Sequence, residues 1–172
     1  MQGFLGELMT KKNLDQYLKT SLPQASLFYG DGEFWIGYYS KLIAPKLAQR
    51  EDTSVFYYGD YNFLAVYELL NQSSLFGDQI LAIIKVDKKI SKKDIQGLLE
   101  ALSRNPNNSL IIEFYRNEKK SASEYSRDFK EMASVFKGDR VVEVRFYEPN
   151  ANEGVGVLAH RASELGIQIH PR

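Results

Sequence analysis

Five short apolar runs, at residues 26–29, 54–58, 80–86, 109–115 and 141–147, end every 28 to 32 residues along the chain. They are rich in β-branched and aromatic residues, as strands are. The first four show little alternation of apolar and polar positions, which suits strands buried on both faces of a parallel sheet. The fifth, Val141-Val142-Glu143-Val144-Arg145-Phe146-Tyr147, carries charges at alternate positions and reads as an edge strand. Segments with helical spacing lie between the runs: Phe34, Tyr38 and Leu42; Phe63, Val66, Tyr67 and Leu70; Ile95, Leu98, Leu99 and Leu102; Tyr125, Phe129, Met132, Ala133 and Phe136. Leu14, Tyr17 and Leu18 add a helix before the first strand, and Pro45 is expected to end or kink the second helix. This rhythm predicts a three-layer α/β domain with a mostly parallel five-stranded sheet and right-handed crossovers.

The pattern breaks at Glu148-Pro149-Asn150, and no sixth strand follows. Val155, Leu158, Ala162 and Leu165 instead form one apolar helical stripe stopped by Gly166. We therefore place a first domain at 1–149 and the start of a second, helical domain at 150–172.

Composition removes several function classes. The 172 residues include 22 basic and 22 acidic side chains, so no net charge draws the chain to nucleic acid or an anionic membrane. With no cysteine there is no disulfide, thiolate metal site or cysteine nucleophile, and two histidines, His160 and His170, are too few for a histidine-rich metal centre. The apolar stretch from Phe4 to Met9 is broken by Glu7 and followed by Lys11 and Lys12, which is not the order of a signal peptide. No apolar run approaches the roughly 18 residues needed to span a bilayer. A soluble, cytoplasmic protein without a membrane partner is the expectation.

In open α/β sheets ligands bind at the carboxyl ends of strands, often against the helix after the first strand. That turn reads Tyr29-Gly30-Asp31-Gly32-Glu33-Phe34-Trp35-Ile36-Gly37. A phosphate-cradling loop needs Gly-Lys-Ser/Thr after its glycine and four further residues; counted from Gly30, those places hold Trp35, Ile36 and Gly37. No lysine meets a phosphate, no hydroxyl holds magnesium, and Asp31 and Glu33 add carboxylates where polyphosphate charge would lie. At a helix start these acids complement the dipole and cap free amides. Gly30, Asp31, Gly32 and Glu33 thus form a degenerate loop that binds no cofactor. After the third strand Asp87 stands beside Lys88 where a nucleotide-hydrolysing relative carries paired acids, and Asn117 follows the fourth strand as a loop residue. Neither catalytic residues nor metal ligands are expected. Lys88, Lys89, Lys92 and Lys93 read as a solvated helix start.

The segment Asn71-Gln72-Ser73-Ser74-Leu75-Phe76-Gly77 joins the third helix to the third strand, with Gly77 permitting the turn. Leu75 and Phe76 either tuck beneath the sheet edge as core or stand exposed as anchors for a partner. Here the sequence resembles the delta subunit of the bacterial DNA polymerase III clamp loader, a nucleotide-free relative of the AAA+ ATPases. Leu22-Pro23-Gln24-Ala25 through Phe34 resembles the family's first strand and altered phosphate loop. Ser73-Ser74-Leu75-Phe76-Gly77 is similar to its clamp-binding segment, and Gln72 extends the match to the wider Gln-x-x-Leu-Phe clamp motif. Arg161-Ala162-Ser163-Glu164-Leu165-Gly166 resembles the helix that opens the family's second domain.

The resemblance implies an AAA+-like domain that grips the sliding clamp (the beta subunit) with Leu75 and Phe76 as a wedge, supported by Gln72, Ser73 and Ser74. It implies the ATPase subunits and delta prime as further partners, DNA only indirectly through the holoenzyme, and no catalysis by this chain itself. Two other readings remain open on the residues alone. One is a nucleotide-binding P-loop-like enzyme domain using the Gly30–Glu33 loop in a non-standard way. The other is a non-enzymatic α/β adaptor whose Leu-Phe pair is core.

Overall fold

The computed structural model describes residues 9–73 and 75–166. Five strands, β1 (Ala25–Gly30), β2 (Thr53–Tyr57), β3 (Leu81–Val86), β4 (Ser109–Phe114) and β5 (Val141–Phe146), form one all-parallel sheet in the order β2-β3-β4-β1-β5. Six α-helices accompany them: α1 (Lys11–Leu18), α2 (Glu33–Leu47), α3 (Phe63–Leu70), α4 (Lys92–Arg104), α5 (Ala122–Val135) and α6 (Ala151–Glu164). Side chains begin most of them: Thr10, Asn62, Ser91, Ser121 and Asn150 each accept a first-turn backbone N–H, and Ser121 with Glu124 closes a capping box.

The sheet separates two cores. On one face, Leu27, Ile84, Leu110, Ile112 and Phe114 pack beneath α3, α4 and α5, whose Val66, Leu98 and Phe129 close over them. On the other face, Phe28, Ile83, Ile111 and Val144 meet Leu14 of α1 and Ile36, Tyr39 and Ile43 of α2. Successive residues of a central strand therefore feed opposite cores, which is why β1 and β4 are buried at every position. The three-layer α/β expectation holds, and each predicted run matches a strand to within about a residue at either end.

Three local features depart from those expectations or sharpen them. β2 is not buried on both faces: it is the second sheet edge, and Val55 and Tyr57 are exposed. β5, the other edge, carries the alternating charges that mark it in sequence, whereas β2 has no charged residue to do so. Pro45 does not end α2, which runs on to Leu47. It stands in the last turn, where Lys41, the residue whose carbonyl it leaves without a donor, is exposed to water. The face of α2 buried against the sheet is Ile36, Tyr39, Ile43 and Leu47; Tyr38 packs half-buried at its margin, and Phe34 and Leu42 lie outside it.

The Phe34–Tyr38 stripe lies on the outer side of α2, where α6 crosses it. Arg161 of α6 stands 5.3 Å over the Phe34 ring, and the His160 ring lies 5.3 Å from Tyr38. Helix α2 is apolar on two sides because it sits between the sheet and another helix. Of the α6 stripe, Ala162 is buried while Val155, Leu158 and Leu165 are exposed, and Gly166 follows with φ +72°. Among the described residues no helix is long and apolar enough to cross a membrane.

Candidate functional site

The strand order places the ends of β1, β3 and β4 side by side, so the phosphate-loop position, Asp87 and Asn117 share one rim of the sheet. β1 ends at Gly30 with φ +111°, a conformation that a residue with a Cβ adopts only with strain. A Cβ there would also collide with the Phe146 backbone oxygen, and one on Gly32 would lie 2.5 Å from the Tyr147 carbonyl oxygen. Both glycines thus let the exit of β5 press against the turn.

Two amides of this turn are engaged within the protein. Gly30 N–H donates to the Tyr125 hydroxyl at 2.9 Å, and Gly32 N–H donates to the Phe146 carbonyl at 3.1 Å. Tyr125 passes its own proton to the Phe114 carbonyl at 2.6 Å. Burial pushes the Tyr125 phenol well above its ordinary range. Helix α2 starts at Gly32 without a side-chain cap, so the expected capping by Asp31 is absent. Both acids are exposed, and Glu33 stands in the first turn, where it complements the dipole.

The rest of the rim is acidic and internally bonded. Glu113, buried in β4, accepts from Ser40 Oγ at 2.8 Å and from the Tyr115 hydroxyl, and Lys85 Nζ lies 3.8 Å from it. Burial, then the Glu113 charge, raises the Tyr115 phenol. Asp87 accepts from Asn117 Nδ2 at 2.9 Å, so the two residues singled out in sequence are one hydrogen-bonded pair. Glu113 was not legible as a site residue, because a carboxylate inside a run of isoleucines reads as strand. Asp31, Glu33 and Asp87 put three carboxylates along this rim, while Lys85 lies against Glu113. Among the described residues no three acidic or histidine side chains converge to hold a metal ion.

At the opposite rim, between α3 and β3, Leu75 is 98% and Phe76 90% exposed. They are not tucked beneath the sheet edge. Gly77 turns the chain behind them with φ +73°. Gln72 and Ser73 are exposed beside them, and Ser74 lies outside the described residues. The structure therefore holds the two candidate regions apart, one at each end of the strands. Two large apolar side chains thus stand side by side at the surface of this turn.

Sequence reasoning missed the anchoring of this turn. Asn108, in the connection from α4 to β4 and 2% exposed, donates to the Leu70 carbonyl at 2.9 Å and the Gln72 carbonyl at 2.8 Å. An Asn-Pro-Asn-Asn stretch reads as an ordinary turn, and no signal within it points to α3.

No family model matches the chain. It is 37% identical to a protein of Helicobacter pylori strain J99 and 35% identical to one of strain 26695, over 94% of this chain in each case. Those matches cover 50% of each relative, so the chain spans about half the length of the curated relatives it matches.

Proposed function

We propose that the chain is the clamp-gripping portion of a clamp-loader delta subunit, an AAA+-like domain that binds and opens the sliding clamp without using nucleotide itself. The observation that carries this reading is the exposure of Leu75 and Phe76, 98% and 90%, at the turn between α3 and β3. Burying each in a pocket of the ring contributes roughly 1.5–3 kcal/mol, enough for two residues to dominate an interface. Opening then requires only that the chain bind the opened ring better than the closed one. Neighbouring ATPase subunits, with delta prime, supply the work. DNA is met only through that assembly, in the cytoplasm.

Engagement of the Gly30 and Gly32 amides, with acids along the rim, supports a nucleotide-free role. The insertion of β4 between β1 and β3 suits an AAA+ ancestry, since it aligns the positions that carry loop, acid and sensor in such ATPases. The test is titration of the cognate clamp with the wild-type chain and with the Leu75→Ala/Phe76→Ala variant. Loss of both anchors weakens binding by at least about a hundredfold while the melting temperature hardly moves. Persistent binding with a sharp fall in melting temperature would instead make the pair core and remove the wedge.

A further inference from the structure

Helix α3 ends at Leu70, and its last carbonyls have no partner within the helix. Two carbonyls at this exit, those of Leu70 and Gln72, point at one buried carboxamide. Asn108 Nδ2 has two hydrogens and donates one to each, at 2.9 and 2.8 Å. Asn108 is itself fixed. Its backbone N–H donates to the Asn105 carbonyl at 3.0 Å, and its carbonyl accepts from Gln24 Nε2 at 3.0 Å. Gln24 Nε2 also reaches the Leu102 carbonyl at 2.9 Å, and its backbone oxygen accepts from Leu110 N–H at 2.9 Å. The exit of α3 is thus tied through Asn108 and Gln24 to the starts of β1 and β4, the centre of the sheet.

The position of this tie matters more than its strength. Gln72 is the last residue it holds, and Leu75 follows three residues later, within roughly 10 Å of chain even when extended. Leu75 and Phe76 are 98% and 90% exposed, so burial in the core is not what fixes this turn. The turn that carries them is bounded by the held exit of α3 on one side and the start of β3 on the other. A loop ordered before contact leaves less conformational entropy to lose on binding.

We propose that Asn108 is the positioning residue of the Leu75–Phe76 grip, holding the α3 exit so that the pair meets its partner already ordered. The assignment rests on the clamp reading for its consequence but not for its geometry. Asn108→Asp, nearly isosteric, turns the two donors into a carboxylate facing two carbonyls. Asn108→Ala removes the donors without the repulsion and serves where the aspartate variant does not fold. Hydrogen exchange at the amides of Ser73, Leu75, Phe76 and Gly77 is expected to speed up by at least about tenfold, with β3 and β4 still protected. Clamp binding, measured well below the unfolding transition, is expected to weaken by about tenfold or more. A core variant on the same helix layer, Ile95→Val, loses stability but keeps wild-type affinity, which a merely structural role for Asn108 would not separate. Unchanged exchange at these four amides overturns the assignment, as does wild-type affinity in a variant whose exchange has risen. If the wild-type chain itself fails to bind the clamp, the clamp reading falls, and the exchange result alone decides whether Asn108 orders the turn.

Discussion

Replacing Tyr125 with phenylalanine isolates what holds the Gly30 turn shut. The hydroxyl is the acceptor for Gly30 N–H at 2.9 Å and the donor to the Phe114 carbonyl at 2.6 Å, and the Tyr125 side chain is 2% exposed. Its 3.5 Å approach to the Gly30 carbonyl adds little, since its single proton is already given to Phe114. Phenylalanine keeps the ring in place, packed edge-on against Phe129 at 5.1 Å, and leaves one donor and one acceptor buried without partners. Two lost bonds of about 0.5–1.5 kcal/mol, increased by desolvation of the stranded groups, give a loss of about 2–4 kcal/mol. In a chain of 172 residues that lowers the melting temperature by about 5–15 °C. Urea unfolding followed by the fluorescence of the single tryptophan, Trp35, reads the difference as a shifted midpoint at constant slope. A loss below about 1 kcal/mol would refute the claim that the turn depends on this hydroxyl.

Gly30→Ala combines a Cβ clash against the Phe146 oxygen with a strained φ of +111°, so it is expected to cost more than about 2 kcal/mol by the same urea assay, whereas Gly59→Ala, in open space, stays within about 1 kcal/mol. Tyr29, Tyr39, Tyr61, Tyr115 and Tyr125 are all raised above the ordinary phenol value of 10.0, first by burial. The folded chain keeps protons that the unfolded chain gives up there, so this contribution is intact below about pH 10 and is lost as the pH climbs further. Phenolate absorbance rising together with unfolding, rather than before it, checks this.

The sheet was legible because its strands are short, dense in β-branched residues and evenly spaced, features that depend on near neighbours. What escaped reading depends on partners distant in sequence. Phe34, Tyr38 and Leu42 form as good an apolar stripe as Ile36, Tyr39 and Ile43, and only the docking of α6 decides which faces outward. Leu75 and Phe76 were legible as a candidate pair, but their exposure was not, since a core pair at that turn would read the same. Gln24 and Asn108 are 84 residues apart, and nothing local in either segment announces their bond.

The pairing of β1 bears on the order in which the chain leaves the ribosome. β1 is buried at all six positions, yet it bonds neither β2 nor β3, the strands synthesised next. Its neighbours are β4 and β5, which begin at Ser109 and Val141. The segment Ala25–Gly30 therefore has no strand partner until the chain has been made to Ser109 and beyond. Only β2 and β3 can pair early, as a sheet fragment open on the side where β4 belongs. Long-range parallel pairing of this kind folds slowly and exposes strand edges meanwhile. Synthesis at about 5–20 residues per second leaves both edges of β1 without a strand partner for several seconds.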